Sequence, residues 1–140
     1  MFKKLIPGLV VVFALASAVP ARSADDDVAK ATTAATSWLA LTDAGKYGQG
    51  WEAAAALLRG AVTKAAFVRQ LQGARTPFGL ALSRKVLSAT PTHHVPGAPD
   101  GDYVIIQFET VFKNKAHAIE TITPMKEKDG AWRVSGYFIK

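Results

Sequence analysis

The sequence predicts an α+β domain in which two to three N-terminal helices pack on a four-stranded antiparallel sheet. Apolar residues recur at helical spacing until about residue 74. From residue 80 onward they alternate with polar residues at a period of two, which is typical of strands. Because the helical segments come first and the strands follow one another directly, the strands are expected to pair as a meander with helices on one face.

The first 24 residues have the layout of a secretory signal peptide. Lys3 and Lys4 form a positive start, an apolar run extends over Leu5–Leu15, and small residues follow it up to Ala24. The apolar run is shorter than the roughly 20 residues that a membrane-spanning helix needs. We therefore expect cleavage near Ala24, a periplasmic or secreted protein without a stable membrane anchor, and a single domain over residues 25–140.

Charge and composition narrow the class of protein. The chain has 17 basic and 11 acidic residues, and part of this excess lies in the signal segment. The other basic residues are scattered and form no cluster with aromatic residues, so we expect no nucleic-acid partner. The chain has no cysteine, which excludes disulfides, thiolate metal sites and thiol nucleophiles.

Three helices are predicted in the first half of the mature chain. The acidic run Asp25–Asp27 suits a helix start, because carboxylates interact favourably with the positive end of the helix dipole. This helix should continue to about Thr42. A second helix is predicted over Tyr47–Arg59, and a third begins after Thr63 as its cap and ends before Pro77.

Strands are predicted in the second half, separated by a proline- and glycine-rich loop and by two tight turns at Asn114–Lys115 and Asp129–Gly130. The predicted strands are Leu80–Ala89, Tyr103–Lys113, Ala116–Glu127 and Trp132–Ile139. The two turns imply the pairs Phe108 with Thr121, Val104 with Met125, Met125 with Val134, and Thr121 with Phe138.

This register places one apolar set on a single face of the sheet, which is the predicted core face. It comprises Val104, Ile106, Phe108, Phe112, Met125, Trp132, Val134 and Phe138. The opposite face mixes apolar and polar residues, and such a face suits a partner subunit or a ligand. It comprises Tyr103, Ile105, Gln107, Glu109, Val111, Glu120, Ile122, Arg133, Tyr137 and Ile139.

One pair of carboxylates on the mixed face could carry chemistry. The predicted register sets Glu109 opposite Glu120, and two close carboxylates can raise one pKa and create a general acid. The alternative is that both are solvated, or that Arg84 or Lys85 from the neighbouring strand lies beside them. We favour the alternative.

Other chemistry has little support in the sequence. His93 and His94 are adjacent and point to opposite sides of an extended chain, and His117 stands alone, so no metal site is predicted. Arg84 and Arg133 could hold an anion, but arginines on strands usually extend over apolar neighbours. The sequence has neither a Gly-x-Ser-x-Gly motif nor a phosphate-binding glycine loop, and we predict no cofactor.

Several segments together resemble the secreted bacterial proteins of domain-of-unknown-function family 4019. These segments are Trp38–Tyr47, Trp51–Ala54, Leu82–Lys85, Pro96–Val104, Glu120–Met125 and Asp129–Tyr137. The resemblance implies the element order of cystatin-like or NTF2-like cone-shaped folds. It implies no activity and no catalytic residues, since the family has no assigned function and a fold alone does not supply one.

Two functions follow as hypotheses. The first is a non-catalytic periplasmic binding or interaction module, with a small molecule or a protein as its partner and a homodimer formed through the mixed face. The second is a small cone-fold enzyme that uses a cleft carboxylate, Glu109 or Glu120, as general acid or base. The candidate ligand or interface residues are Arg84, Gln107, Glu109, Glu120, Arg133 and Tyr137.

Overall fold

A computed structural model describes residues 22–140, so nearly all of the predicted signal peptide lies outside the described residues. The α+β class is confirmed: helices precede a four-stranded antiparallel sheet of order β1-β2-β3-β4. No helix within residues 22–140 is both long and apolar enough to cross a bilayer. The elements are α1 (Arg22–Asp43), α2 (Tyr47–Glu52), α3 (Ala56–Ala61), α4 (Lys64–Arg75), a 3-10 turn (Thr76–Phe78), β1 (Ala81–Thr92), β2 (Tyr103–Phe112), β3 (Lys115–Lys126) and β4 (Trp132–Ile139).

The second predicted helix is in fact two short helices, so the prediction of one continuous helix was wrong. α2 ends at Glu52, and α3 begins at Ala56. Between them Ala54 and Ala55 are fully buried, and the Ala55 N–H donates to the Val134 carbonyl of β4 at 2.8 Å. Because alanine side chains are small, the backbone can approach the sheet here and replace a helical hydrogen bond with one to β4.

The core lies between α1 and the inner face of the sheet, and α4 closes one side of it. α1 contributes a stripe at helical spacing, namely Ala31, Ala35, Trp38 and Leu39. Trp38 joins several elements: its ring centroid lies 6.2 Å from that of Phe67 in α4 and 5.2 Å from that of Tyr137 in β4. Its indole N–H donates to the Gly50 carbonyl of α2 at 2.8 Å.

The strand register differs from the prediction by one residue between β2 and β3. The turn contains Lys113 and Asn114, and β3 carries one extra residue opposite Val111. Phe108 therefore pairs with Glu120, where the sequence predicted Thr121. A bulge of this kind inserts an unpaired residue and cannot be deduced from the apolar pattern alone.

A second bulge lies in β4 at Ser135. The predicted pair Thr121–Phe138 is confirmed, but Val134 pairs with Pro124 and not with Met125. Ser135 is the extra residue, and it reverses the alternation of side chains in the rest of β4.

The two bulges change which residues form the core face. Six of the eight predicted core residues are buried, whereas Met125 is half-buried and Phe138 is 60% exposed. Glu120, Ile122 and Tyr137 were assigned to the mixed face but lie on the core side, because a shift of one position moves side chains to the opposite face. Tyr103 is also buried, but it lies on β2, which carries neither bulge, and its hydroxyl donates to the Pro99 carbonyl of the preceding loop.

Candidate functional site

Glu120 of β3 is a fully buried carboxylate on the inner face of the sheet. One oxygen, Oε1, accepts from the Thr110 hydroxyl of β2 and from Arg84 Nε of β1 at 2.7 Å. The other, Oε2, accepts from the Tyr137 hydroxyl of β4. Each strand of the sheet thus contributes one residue, and these hydrogen bonds offset the cost of burying the charge.

Arg84 connects the sheet to the end of α1. Its Nη1 and Nη2 donate to the two carboxylate oxygens of Asp43 at 2.8 and 3.0 Å, which is a bidentate pair. Asp43 is the last residue of α1, where a negative charge is unfavourable next to the negative end of the helix dipole. The cation of Arg84 compensates for this placement.

Arg75 of α4 approaches Asp43 from the other side. Its side chain is only 4% exposed, Nη2 donates to Asp43 Oδ1 at 2.7 Å, and Nη1 donates to the Thr42 hydroxyl at 2.9 Å. The guanidinium also lies over the Phe112 ring, 5.0 Å from its centroid. We call these seven residues the ion network: Thr42, Asp43, Arg75, Arg84, Thr110, Glu120 and Tyr137.

The charges of the ion network balance, because two guanidiniums face two carboxylates. Burial opposes the charged form of Asp43, but hydrogen bonds from Arg84 and Arg75 hold its pKa below the ordinary value. Burial likewise opposes the charge on Arg84, and its hydrogen bonds to Asp43 and Glu120 raise its pKa. For Tyr137, burial and then the charge of Glu120 raise the pKa, so its hydroxyl stays neutral.

The structure brings together three of the six predicted site residues: Arg84, Glu120 and Tyr137. The predicted pair of Glu109 with Glu120 does not form, because the shifted register pairs Glu109 with Ile119 and turns the two carboxylates to opposite faces. Glu109 lies instead 3.3 Å from the Lys85 ammonium.

The other predicted residues lie apart from the ion network. Gln107 is exposed. Besides Lys85, Glu109 has a second neighbour in His117, whose Nδ1 lies 3.5 Å from Glu109 Oε1. Arg133 forms ion pairs at 2.9 and 3.0 Å with Glu127 and Asp129, next to the last turn. Residues 22–140 contain no cluster of three or more histidine, aspartate or glutamate side chains with a geometry that could hold a metal ion.

Sequence reasoning missed four members of the ion network, namely Thr42, Asp43, Arg75 and Thr110. The helix ends contained a signal, since an aspartate closes α1 and an arginine closes α4. An aspartate at a helix C-terminus requires a nearby cation, and this could have directed attention to the arginines.

An apolar groove lies next to the ion network, where α3 and α4 meet the end of β4. Its volume is about 400 Å³. α4 contributes a stripe at helical spacing, and Tyr137 belongs to both the groove and the ion network. The lining residues are Leu58, Val62, Phe67, Gln70, Leu71, Ala74, Gly136, Tyr137, Phe138 and Ile139.

Comparisons with known proteins identify a family but no function. Searches of the curated proteins and of the solved structures each gave no match. The family model described as "Protein of unknown function (DUF4019)" matches residues 34–137, which include α1 from its second half, the whole ion network and the groove up to Tyr137. The chain therefore belongs to this family of unknown function, as its resemblance to family 4019 predicted.

Proposed function

We propose that this protein is an exported, non-catalytic binding module that holds a small apolar molecule in the groove between α3, α4 and β4. The observation that carries the proposal is the groove itself, which has a volume of about 400 Å³ and mostly apolar walls. Small-molecule sites are concave, mostly apolar and about 300–1,000 Å³ in volume, with a few polar groups. Gln70 and Tyr137 are the polar side chains of this lining.

The geometry of Glu120 supports binding over acid–base catalysis. A general acid or base must come within hydrogen-bond reach of the substrate, directly or through one water. Glu120 is fully buried, and both of its oxygens accept hydrogen bonds from protein groups. Asp43 has two arginine partners that favour its charged form, so it is a poor proton donor near neutral pH.

The groove proposal predicts that a bulky residue at Ala74 prevents binding. Ala74 is an exposed lining residue on α4, so Ala74→Trp should fold normally while its indole occupies the groove. Titration with the neutral fluorescent probe N-phenyl-1-naphthylamine should show a dissociation constant raised about tenfold or more, equivalent to at least about 1.4 kcal/mol.

Ala65→Trp is the matched control for this experiment. Ala65 is also exposed on α4 but does not belong to the groove lining, so the same substitution should leave probe affinity within about twofold. Equal affinities of the two variants would contradict the groove as the binding site.

Export is the second part of the proposal, and it rests on the layout of residues 1–24. Cleavage near Ala24 would leave Asp25 and its acidic neighbours in the first turn of the mature α1, where they favour the helix. In a bacterial host, the periplasmic fraction should contain a chain that begins near Asp25. Val12→Arg, which places a charge in the apolar run, should retain the protein in the cytoplasm. An uncleaved 14.9 kDa chain in the cytoplasm would contradict export.

A homodimer is the second candidate interaction. The most exposed large apolar side chains of the described residues are Phe138 and four at or beside the edge strand β1: Leu80, Leu82, Val86 and Leu87. An edge strand with apolar side chains can pair with a second copy.

Light scattering at high concentration should therefore give twice the chain mass, and Leu82→Lys should give the monomer. Phe138→Lys, at the opposite edge, serves as the control and should remain dimeric. A monomeric wild-type protein would contradict the dimer.

A further inference from the structure

We propose that the ligand of the groove is uncharged: a mainly aliphatic molecule of about a dozen heavy atoms with one neutral hydroxyl or amide head. This inference rests on the binding function proposed above and specifies its ligand class. Three properties of the groove point to this class: the charges around it, its polar groups and its volume.

The side chains that line the groove offer no counter-charge for an ionic ligand. None of the ten lining residues is Asp, Glu, Lys, Arg or His. A charged group that enters an apolar site loses its hydration and must regain the lost interactions from a counter-charge or from hydrogen bonds. A fatty-acid carboxylate or an alkylammonium group would find no such counter-charge among the lining side chains.

The charges that a hydrogen bond connects to the lining lie in the ion network behind Tyr137, and they are already paired. Arg84 binds both Asp43 and Glu120, and Arg75 binds Asp43. A ligand carboxylate that took one of these guanidiniums would leave a protein carboxylate buried without its partner. A ligand cation would likewise have to compete with Arg84 for Glu120. Both replacements are unfavourable for the free energy of binding, because breaking a buried ion pair leaves one charge without its partner.

The polar groups of the lining suit a neutral head. Gln70 is exposed on α4, and its amide can both donate and accept a hydrogen bond. The hydroxyl hydrogen of Tyr137 is already donated to Glu120. A hydroxyl or amide at the mouth of the groove could therefore pair with Gln70 while the aliphatic part contacts Phe67 and Leu71.

The volume of the groove limits the size of the ligand. A water-sized group occupies about 30 Å³ in the liquid, so a cavity of about 400 Å³ holds roughly a dozen such groups. The groove is open on one side, so the larger probe N-phenyl-1-naphthylamine can insert its naphthylamine part, which is of about this size, and leave its phenyl ring outside. A ten-carbon alcohol meets this limit. Because each buried methylene contributes about fourfold in affinity, 1-octanol should bind about 16-fold more weakly than 1-decanol.

The test compares three ten-carbon ligands with different heads: 1-decanol, decanoate and decylammonium, each below its micellar concentration. Each is titrated against the mature protein, residues 25–140, loaded with N-phenyl-1-naphthylamine, and displacement is read as loss of probe fluorescence. We expect 1-decanol to displace the probe at a concentration at least about tenfold lower than the concentration that either ion requires. The same titrations with Ala74→Trp should show no saturable displacement.

The possible outcomes separate the ligand class from the binding function. If decanoate or the ammonium binds as tightly as 1-decanol, and Ala74→Trp removes that binding, then the groove binds ligands but the neutral class is wrong. If neither the probe nor 1-decanol binds the wild-type protein, the binding function itself is wrong. Displacement that is the same in the wild type and in Ala74→Trp would place the site elsewhere and overturn both.

Discussion

Replacing Arg84 by methionine is expected to destabilise the protein by about 3 kcal/mol or more, which is a large part of the 5–15 kcal/mol that domains of this kind possess. The substitution keeps much of the aliphatic volume but removes the guanidinium. Glu120 is then a fully buried carboxylate without a cation, and Asp43 keeps only Arg75. Urea unfolding followed by tryptophan fluorescence measures the loss as a lower midpoint at an unchanged slope.

Lys85→Met is the matched control, because Lys85 neighbours Arg84 on β1 and its ion pair with Glu109 is exposed. Exposed ion pairs contribute little to the free energy of unfolding, so Lys85→Met should change it by less than about 1 kcal/mol. In the double variant Arg84→Met/Glu120→Gln, the charge of Glu120 is gone, while the amide oxygen can still accept from one of the two hydroxyls and the amide NH2 can donate to the other. It should lose less stability than the sum of the single variants. Equal losses in Arg84→Met and Lys85→Met would show that the buried pair has no special role.

Replacing Trp38 by alanine is expected to cost about 3–5 kcal/mol, the range for removing a large aromatic side chain from a core. Trp38 is 3% exposed and lies between α1, α2, α4 and β4. Its removal would open a cavity beside Phe67 and Tyr137, which also line the groove. The loss can be measured by urea unfolding followed by circular dichroism, because the substitution removes a fluorescent residue.

Trp38→Phe separates the hydrogen bond from the packing. Phenylalanine retains an aromatic ring but leaves the Gly50 carbonyl without its indole donor, so a loss of about 1–3 kcal/mol is expected. Ser37→Ala, at an exposed neighbouring position of α1, should change stability by no more than about 0.5 kcal/mol. The assignment of Trp38 as a core residue would be wrong if Trp38→Ala behaved like Ser37→Ala.

The fold class could be predicted from the sequence because it depends on periodicity, and periodicity survives local irregularities. Val104, Ile106 and Phe108 were placed correctly, since they lie on one uninterrupted stretch of β2. Phe138 and Tyr137 were placed on the wrong faces because the bulge at Ser135 reverses the alternation after it. A bulge depends on how two strands fit each other, and neither strand alone contains that information.

The candidate site could be predicted only in part, for a related reason. Glu120 and Tyr137 were assigned to a face that meets solvent or a partner, and Arg84 was expected beside the glutamates or over apolar neighbours. The structure turns these three side chains toward the helices, where Asp43 of α1 and Arg75 of α4 complete the interactions. Contacts between residues 33 to 41 positions apart depend on the packing of helices and strands, which local patterns do not determine.

The ion network has a consequence for folding kinetics. Its members come from α1, α4 and all four strands, and Asp43 is 41 residues from Arg84, which is 36 residues from Glu120. Such contacts can form only after the sheet has assembled and the helices have docked, so they should contribute little to the folding transition state. The loss of stability in Arg84→Met should then appear as faster unfolding with a nearly unchanged folding rate. In the proposed location outside the cytoplasm, a chain without disulfides would depend on its non-covalent contacts, and slow unfolding would extend the lifetime of the folded protein.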